Sequence, residues 1–189
     1  MKSPFSSVLL SLFIASVFFA AACQSQEDNT DDSNNDIGHR KSPIAISAIN
    51  HADTYIKVVY GQPYKRGRVI FGELEAWGEI WRTGANEATE IIMTDSVVMG
   101  DELVEPSTYA LFTIPQPDSF TVILNHELGQ WGAFEYDSTL DYKRMKFPVQ
   151  NLESPVEAFT IEFSEPQDNE TVMSLRWDTV QVDVPIRFE

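Results

Sequence analysis

The chain has 189 residues, with 29 acidic and 13 basic side chains, and its formal net charge is −16 at pH 7. This balance argues against nucleic acid as a partner, because phosphate binding needs a basic surface. It also argues against direct adsorption to anionic lipid head groups. Residues 44–189 are long enough for one domain with a hydrophobic core.

The N-terminal residues 1–22 have the features of a secretory signal peptide. Lys2 precedes an apolar stretch, VLLSLFIASVFFAAA, which is shorter than the ~20 residues of a membrane span and ends in small residues. Cys23, the only cysteine, follows directly, and the junction resembles the lipobox of bacterial lipoproteins, although Ala20 stands where leucine is usual. We therefore predict lipidation of Cys23. The alternatives are an ordinary cleaved signal or an uncleaved anchor.

The residues after Cys23 predict the location of the protein. In the lipoproteins it resembles, an aspartate after the cysteine favours retention in the inner membrane, whereas here the residue is Gln24. We expect an outer-membrane lipoprotein on the periplasmic or cell-surface side, held to the membrane through its N-terminal lipid. Residues 23–43 continue as an acidic tether without aromatic residues, which predicts disorder.

From Ile44 onward the apolar residues alternate with polar ones, which indicates half-buried strands. Short strands separated by turn residues predict an all-β fold, an antiparallel β-sandwich of about nine strands forming a single domain over residues 44–189. Pro148 and Pro185 cannot donate to a ladder, so their strands are expected at edges or bulges. The predicted strands are 45–50, 55–60, 88–94, 108–114, 120–125, 144–150, 158–163, 172–177 and 180–188.

One segment breaks this alternation. Between residues 69 and 81 the apolar side chains recur at helical spacings of three and four, at Ile70, Leu74, Trp77 and Trp81. Glycines within the segment limit any helix to one or two turns. We predict one short helical segment near 69–81 that covers an open end of the sandwich, with both tryptophans filling the core.

The stretch WRTGANE, residues 81–87, has two interpretations. Arg82 and Glu87 form a buried ion pair that ties a loop to the following strand, with Gly84 allowing a positive φ and Asn86 bonding the loop backbone. Alternatively, Arg82 faces a cleft and binds an anionic or sugar ligand, with Asn86 and Glu87 as polar partners. The sequence leaves both open.

Two further stretches contain candidate ligand-binding residues. In YGQPYKRGR, residues 60–68, Tyr60, Tyr64 and Arg66 belong to a basic spot that suits a carboxylate, a phosphate or a glycan acid; alternatively, these bases pair with neighbouring acids. In NHELGQWGAFEYD, residues 125–137, glycines on both sides of Trp131 leave its ring exposed as a sugar-stacking platform, unless the ring folds back as a loop anchor. His126 is the one histidine considered for acid–base work.

Motifs that indicate a cofactor or a metal do not occur in the sequence. The three histidines are far apart, and the chain lacks HExxH, CxxC, EF-hand, nucleotide-loop and GxSxG patterns. We therefore predict no cofactor and no metal site.

The central part of the chain resembles the domain-of-unknown-function 2911 family. The stretches that carry the resemblance are YGQPYKRGRVIFGELEAWGEIWRTGANEAT, STYALFTIP, FTVILN and GQWGAFEYD, followed by LRW and VPI near the end. The resemblance implies an exported, often lipid-anchored and β-rich protein, and it supplies no catalytic residue.

These observations predict a lipid-anchored envelope protein that acts as a non-catalytic binding module. The expected partners are a small polar ligand or glycan, or another envelope protein. The alternatives are a carboxylate-dependent hydrolase with Arg82 at its site and a spacer whose partner recognises only its surface.

Overall fold

A computed structural model of the protein describes residues 40–189. The predicted all-β antiparallel fold with about nine strands is confirmed, and within these residues the one helical turn is a 3-10 helix at Ser138–Leu140. The signal peptide, Cys23 and the tether up to residue 39 lie outside the described residues. The strands are β1 (Ile44–His51), β2 (Thr54–Gly61), β3 (Thr89–Met93), β4 (Val97–Met99), β5 (Glu102–Val104), β6 (Ser107–Pro115), β7 (Ser119–Asn125), β8 (Asp141–Phe163) and β9 (Glu170–Phe188).

All nine strands belong to one antiparallel sheet in the order β1-β2-β3-β6-β7-β8-β9-β4-β5. Strands β2 to β9 contribute apolar side chains to one continuous buried cluster, so the sheet folds over its inner face as the two layers of a sandwich do. The chain just after β2 also meets β8, because Phe159 N donates to Pro63 O and Lys65 N donates to Glu157 O.

The number of strands agrees with the prediction, but their boundaries differ in two ways. The predicted strands at 144–150 and 158–163 are one strand, β8, and those at 172–177 and 180–188 are likewise one strand, β9. The pairing of β8 with β9 shifts register between Asn151 and Thr160, where the sequence pattern indicated a break between two strands. The three-residue strands β4 and β5 were missed, because they are too short to show an alternation.

Pro148 and Pro185 do not lie on edge strands, which was the first of the two places expected for them. Pro148 ends the ladder between β8 and β7, and the ladder between β8 and β9 begins at the next residue, Val149. Pro185 lies between Val182, which pairs with β8, and Ile186, which pairs with β4. Each proline therefore occupies a point where its strand changes partner, and the missing N–H costs no ladder bond.

The predicted helical segment near 69–81 is wrong. The segment consists of turns and isolated bridges, with Gly72 at φ 92° and Gly78 at φ 82°, values that no right-handed helix contains. Its covering role is correct in part, because Trp81 is buried while Trp77 is exposed.

An aromatic group beneath this segment closes the core. Phe71 makes edge contacts with Trp81 and Phe120 at ring-centroid distances of 5.8 and 5.2 Å. Trp81 stacks on Trp177 at 5.8 Å and meets the edge of Phe159 at 4.9 Å. Aromatic side chains of this size bury large apolar areas, so the turn segment is held by packing rather than by helical hydrogen bonds. Within residues 40–189, no helix is long and apolar enough to span a bilayer.

Candidate functional site

Two of the stretches singled out in the sequence form one surface. Glu87 and Trp131 face each other in an isolated antiparallel bridge. On either side of it, Ala88 N donates to Gln130 O and Gly132 N donates to Asn86 O, both at 2.9 Å. The loop 82–88 and the loop 126–137 are therefore paired through their backbones, although their first residues are 44 positions apart in the sequence.

The loop 82–88 keeps its shape through unusual backbone angles. Thr83 is fully buried at φ 54°, a rare value for a β-branched residue. Its hydroxyl donates to Thr113 Oγ1 at 3.1 Å, and its carbonyl accepts from the Thr89 hydroxyl at 2.7 Å. Strain of this kind persists only where the surroundings fix it, and it is concentrated at functional sites.

Gly84 has a different role from the predicted one. The positive φ angles in this loop belong to Thr83 and Asn86 (φ 66°) rather than to Gly84. A side chain at Gly84 would place its Cβ 2.9 Å from Gly61 O, and one at Gly61 would come 1.9 Å from Ala85 O. The two glycines therefore allow the loop to lie directly against the end of β2.

The predicted buried ion pair between Arg82 and Glu87 is wrong. Glu87 instead accepts from Arg40, whose Nη2 lies 2.6 and 2.7 Å from the two carboxylate oxygens. Arg82 Nε is buried and has no hydrogen-bond partner among residues 40–189. The Arg82 guanidinium lies beside Gly132, with Nη1 3.6 Å from the position that a Cβ would take there.

A titratable carboxyl that the sequence analysis missed belongs to the same neighbourhood as Arg82. Burial raises the pKa of Glu75 to about 7, although the positive charges of Arg82 and Arg68 act in the opposite direction. The one sequence signal was an acidic residue between Leu74 and Trp77, inside a segment predicted to cover the core. A carboxyl that titrates near neutral pH is suited to acid–base chemistry.

A cleft of about 200 Å³ opens beside the paired loops. Tyr60, Glu87 and Glu90 line it together with Gln130, and its remaining lining is apolar or glycine, including Ile44. Tyr60 is mainly structural, because its hydroxyl accepts from Ile161 N at 3.1 Å and burial raises its pKa.

Gln130 leaves one polar atom unsatisfied behind the wall of this cleft. The residue is only 5% exposed, and its Nε2 donates to Glu127 O at 2.9 Å, which fixes the orientation of the amide. Its Oε1 is buried without a partner among residues 40–189. An unsatisfied buried acceptor costs about 1–3 kcal/mol, so this wall is not optimised for stability.

Residues 40–43 lie across the surface formed by the two paired loops and the basic turn at residues 60–68. The Arg40 guanidinium stands 5.9 Å from the centre of the Trp131 ring. The carbonyl of Lys41 accepts from Arg66 Nη2 at 2.7 Å, and that of Ser42 accepts from Asn86 Nδ2 at 3.3 Å. The carbonyl of Pro43 accepts from Gln62 N at 2.8 Å.

The basic side chains of the turn at residues 60–68 contact other residues of the protein. Lys65 forms an ion pair with Asp178. The Arg66 guanidinium lies 5.8 Å from the Tyr64 ring, and Arg68 Nη2 donates to Tyr64 O at 2.5 Å. These contacts favour the interpretation of the turn as a structural joint over that of an anion site.

The candidates in the loop 126–137 separate into two places. Trp131 is 60% exposed, so its ring is not folded back as a loop anchor, and Phe134 beside Gly132 is also exposed. His126 instead joins Tyr109 and Tyr142, at ring-centroid distances of 5.5 and 5.2 Å. It does not line the cleft, so the structure does not join it to the other candidate residues.

The anchor of this loop is a polar network that the sequence analysis did not identify. Asp141 accepts from Tyr136 Oη at 2.7 Å, from Arg144 Nε at 2.6 Å and from Asn125 Nδ2 at 2.8 Å. Burial and the hydrogen bond to Asp141 raise the pKa of Tyr136 to about 12. The Tyr136 ring also packs on Phe112 at 5.0 Å, which fixes the loop on the outer face of the sheet.

Across residues 40–189, no three His, Cys, Asp or Glu side chains converge in a way that would hold a metal ion. A family model described as "Protein of unknown function (DUF2911)" matches residues 42–186. The match covers most of the chain, so the chain belongs to this family and the resemblance seen in the sequence is confirmed. No curated protein and no solved structure shows significant similarity to it.

Proposed function

We propose that this member of the DUF2911 family is a lipid-anchored, non-catalytic binding module of the cell envelope. Its ligand is a small polar molecule, a glycan or a segment of an envelope protein, and it binds at the cleft beside the paired loops. The observation that carries the proposal is the cleft itself, lined by Tyr60 and Glu87 and flanked by the exposed Trp131.

The composition of the cleft supports this use. Ligand sites are mostly apolar concave surfaces with a few polar groups that orient the ligand, and here two carboxylates stand among apolar walls. The cleft volume of about 200 Å³ is below that of drug-sized sites, so it suits one sugar ring or one side chain. An exposed tryptophan at the rim supplies a flat stacking surface.

Ligand-observed NMR on the full chain in a non-ionic detergent tests this binding. The compounds would be neutral sugars, N-acetylated sugars, acidic sugars and amino-acid amides. Ile44 lines the cleft, so Ile44→Trp should abolish the binding of every true ligand. Ile46→Trp is the matched control, because Ile46 is exposed on the same face of β1 and does not line the cleft. Absence of any Ile44-dependent ligand would reject the binding proposal.

The membrane anchor is a separate part of the proposal. It is supported by the short apolar stretch, the small residues before Cys23 and the absence of any other cysteine. Cells grown with radioactive palmitate should label the wild-type protein and not Cys23→Ala. Equal labelling of the two proteins would reject the anchor. Membrane fractionation of the labelled cells then tests the outer-membrane location, which a signal confined to the inner membrane would contradict.

The hydrolase alternative is favoured by one observation, the pKa of Glu75 near 7 with Arg82 close by. A protonated carboxyl at neutral pH can act as a general acid, and an arginine can stabilise developing negative charge. Chromogenic glycosides and esters would test for turnover. Activity that follows a pKa near 7 and is lost in Glu75→Gln would establish the hydrolase, whereas Glu75-independent or undetectable turnover would reject it.

A further inference from the structure

The structure points to a basic peptide as the ligand of this surface, and we propose that residues 40–43 are its built-in competitor. This inference rests on the proposed binding function and specifies the ligand class. We refer to residues 40–43 as the latch segment. The latch segment lies on side chains of three loops that the sequence had already marked as candidate binding regions.

The first argument is the way the latch segment is held. The Arg40 side chain is mostly buried, donates to both oxygens of Glu87 and lies near the face of Trp131. A carboxylate combined with an aromatic face is a chemically suitable site for a guanidinium group. The three carbonyls that follow in the chain each accept a hydrogen bond from the domain. Side-chain capture combined with backbone bonding is how an extended peptide is recognised.

The second argument is the charge of the adjoining cleft. Glu87 forms part of both the Arg40 contact and the cleft lining, and Glu90 is the other charged residue of that lining. The remaining lining suits the aliphatic stem of an arginine or lysine side chain, because it includes Ile44 and Val59. The two carboxylates match a cationic ligand and disfavour an anionic one.

The third argument is the charge of the whole domain. Residues 44–189 carry 24 acidic and 10 basic side chains, a net charge of −14. Such a field attracts cations and accelerates their association. A tethered segment has an effective local concentration in the millimolar range, so the latch segment would exclude weaker ligands from the surface. A free ligand must therefore outcompete it.

Isothermal titration calorimetry with a synthetic probe tests the inference on the full chain in a non-ionic detergent. The probe is the acetylated and amidated peptide His-Arg-Lys-Ser-Pro, and its matched control carries neutral citrulline in place of arginine. The variant R40G/K41G/S42G removes the side chains of residues 40–42 and frees Glu87 from its contact with Arg40. We expect this variant to bind the probe at least about tenfold more tightly than the wild type, because the competitor is lost.

The same titration identifies the recognised group. Replacing arginine by citrulline in the probe should weaken binding at least about tenfold, and Glu87→Gln in the unlatched variant should have a similar effect, since each removes one side of an ion pair. Glu102→Gln is the control, because Glu102 is 49% exposed against 47% for Glu87 and also pairs with a basic residue, Lys143. It should leave the affinity unchanged.

The results also separate this inference from the binding function on which it rests. If the variant R40G/K41G/S42G does not bind the arginine probe, or binds the citrulline peptide equally well, the peptide inference is overturned. If a sugar then binds in an Ile44-dependent manner, the binding function stands without it. Circular dichroism of each variant establishes that a lost signal does not come from unfolding.

Discussion

Asp141 and Glu75 are both shielded carboxyl groups with an arginine nearby, but their surroundings differ. The Asp141 side chain is 8% exposed and accepts hydrogen bonds from Asn125, Tyr136 and Arg144. For Glu75 the largest influence on the pKa is burial, and the charges of Arg82 and Arg68 offset it only in part. A carboxylate whose oxygens are fully hydrogen-bonded stabilises the fold, whereas a buried carboxyl without such donors titrates near neutral pH.

The largest expected effect is the loss of the complete network. Asp141→Ala should lower the free energy of unfolding by about 3 kcal/mol, because it leaves buried donors on Asn125 and Tyr136 without their acceptor. Urea unfolding of the full chain measures this difference. Asp101→Ala, an exposed acid in the turn between β4 and β5, should stay within about 0.5 kcal/mol of the wild type. Equal effects of the two substitutions would show that the hydrogen bonds of Asp141 do not stabilise the fold.

Replacing Glu75 should raise the free energy of unfolding, whereas replacing Asp141 lowers it, and the gain should appear mainly at neutral and alkaline pH. Its pKa is raised on folding from 4.5 to about 7, so the folded state loses stability as the pH rises through this range. Glu75→Gln, which stays neutral, should be more stable than the wild type by about 3 kcal/mol at pH 8 and by less than about 1 kcal/mol at pH 5. Urea unfolding at both pH values tests this, with the exposed Glu79→Gln as the control. A pH-independent difference would refute the raised pKa.

Arg82 should influence Glu75 through its charge. Arg82→Gln removes a cation that lowers the pKa of Glu75, so the pKa of this carboxyl should rise above 7. Carboxyl-carbon NMR of the glutamates during a pH titration measures the change directly. The same titration in Arg144→Gln is the matched control, since Arg144 contacts Asp141 and not Glu75. An unchanged pKa of Glu75 in Arg82→Gln would show that the charge of Arg82 does not act on this carboxyl.

The smallest expected effect concerns Glu87 and its partners. Arg82→Ala and Glu87→Ala should show no measurable coupling, because the two side chains are not paired. Arg40→Ala and Glu87→Ala should instead show a coupling of about 0.5 kcal/mol, as is typical of a partly exposed ion pair. Double-mutant cycles in urea measure both values. Coupling confined to the Arg82 pair would contradict the contacts described above.

The sequence predicted most of the fold because alternation is a local property. Strand β2 shows this alternation in the burial of its side chains and was located to within one residue at each end. The helical prediction at 69–81 failed because correct apolar spacing was outweighed by two glycines that adopt left-handed angles. The continuity of β8 and β9 depends on pairing with distant residues, which local patterns do not contain.

The candidate site was predicted in its parts and not in its pairings. The stretches containing Glu87 and Trp131 were both selected, but only the fold shows that these two residues face each other. Arg40 was assigned to the tether, and nothing near it in the sequence indicated that Glu87, 47 residues away, would be its partner. The identity of an ion pair depends on which cation the topology brings close, and Arg82, only five residues from Glu87, was the wrong choice.

The attachment of the chain at Arg40 has a mechanical consequence. On a protein anchored at Cys23, residues 24–39 extend at most roughly 50 Å at about 3.3 Å per residue, so larger separations between membrane and domain put the chain under tension. The tension reaches the contact between Arg40 and Glu87 before it reaches β1, an edge strand. If Cys23 carries the proposed lipid anchor, pulling on the chain would free the carboxylate of Glu87 before any strand of the sheet is peeled away, and the exposure of the surface beside Trp131 would then depend on the distance from the membrane.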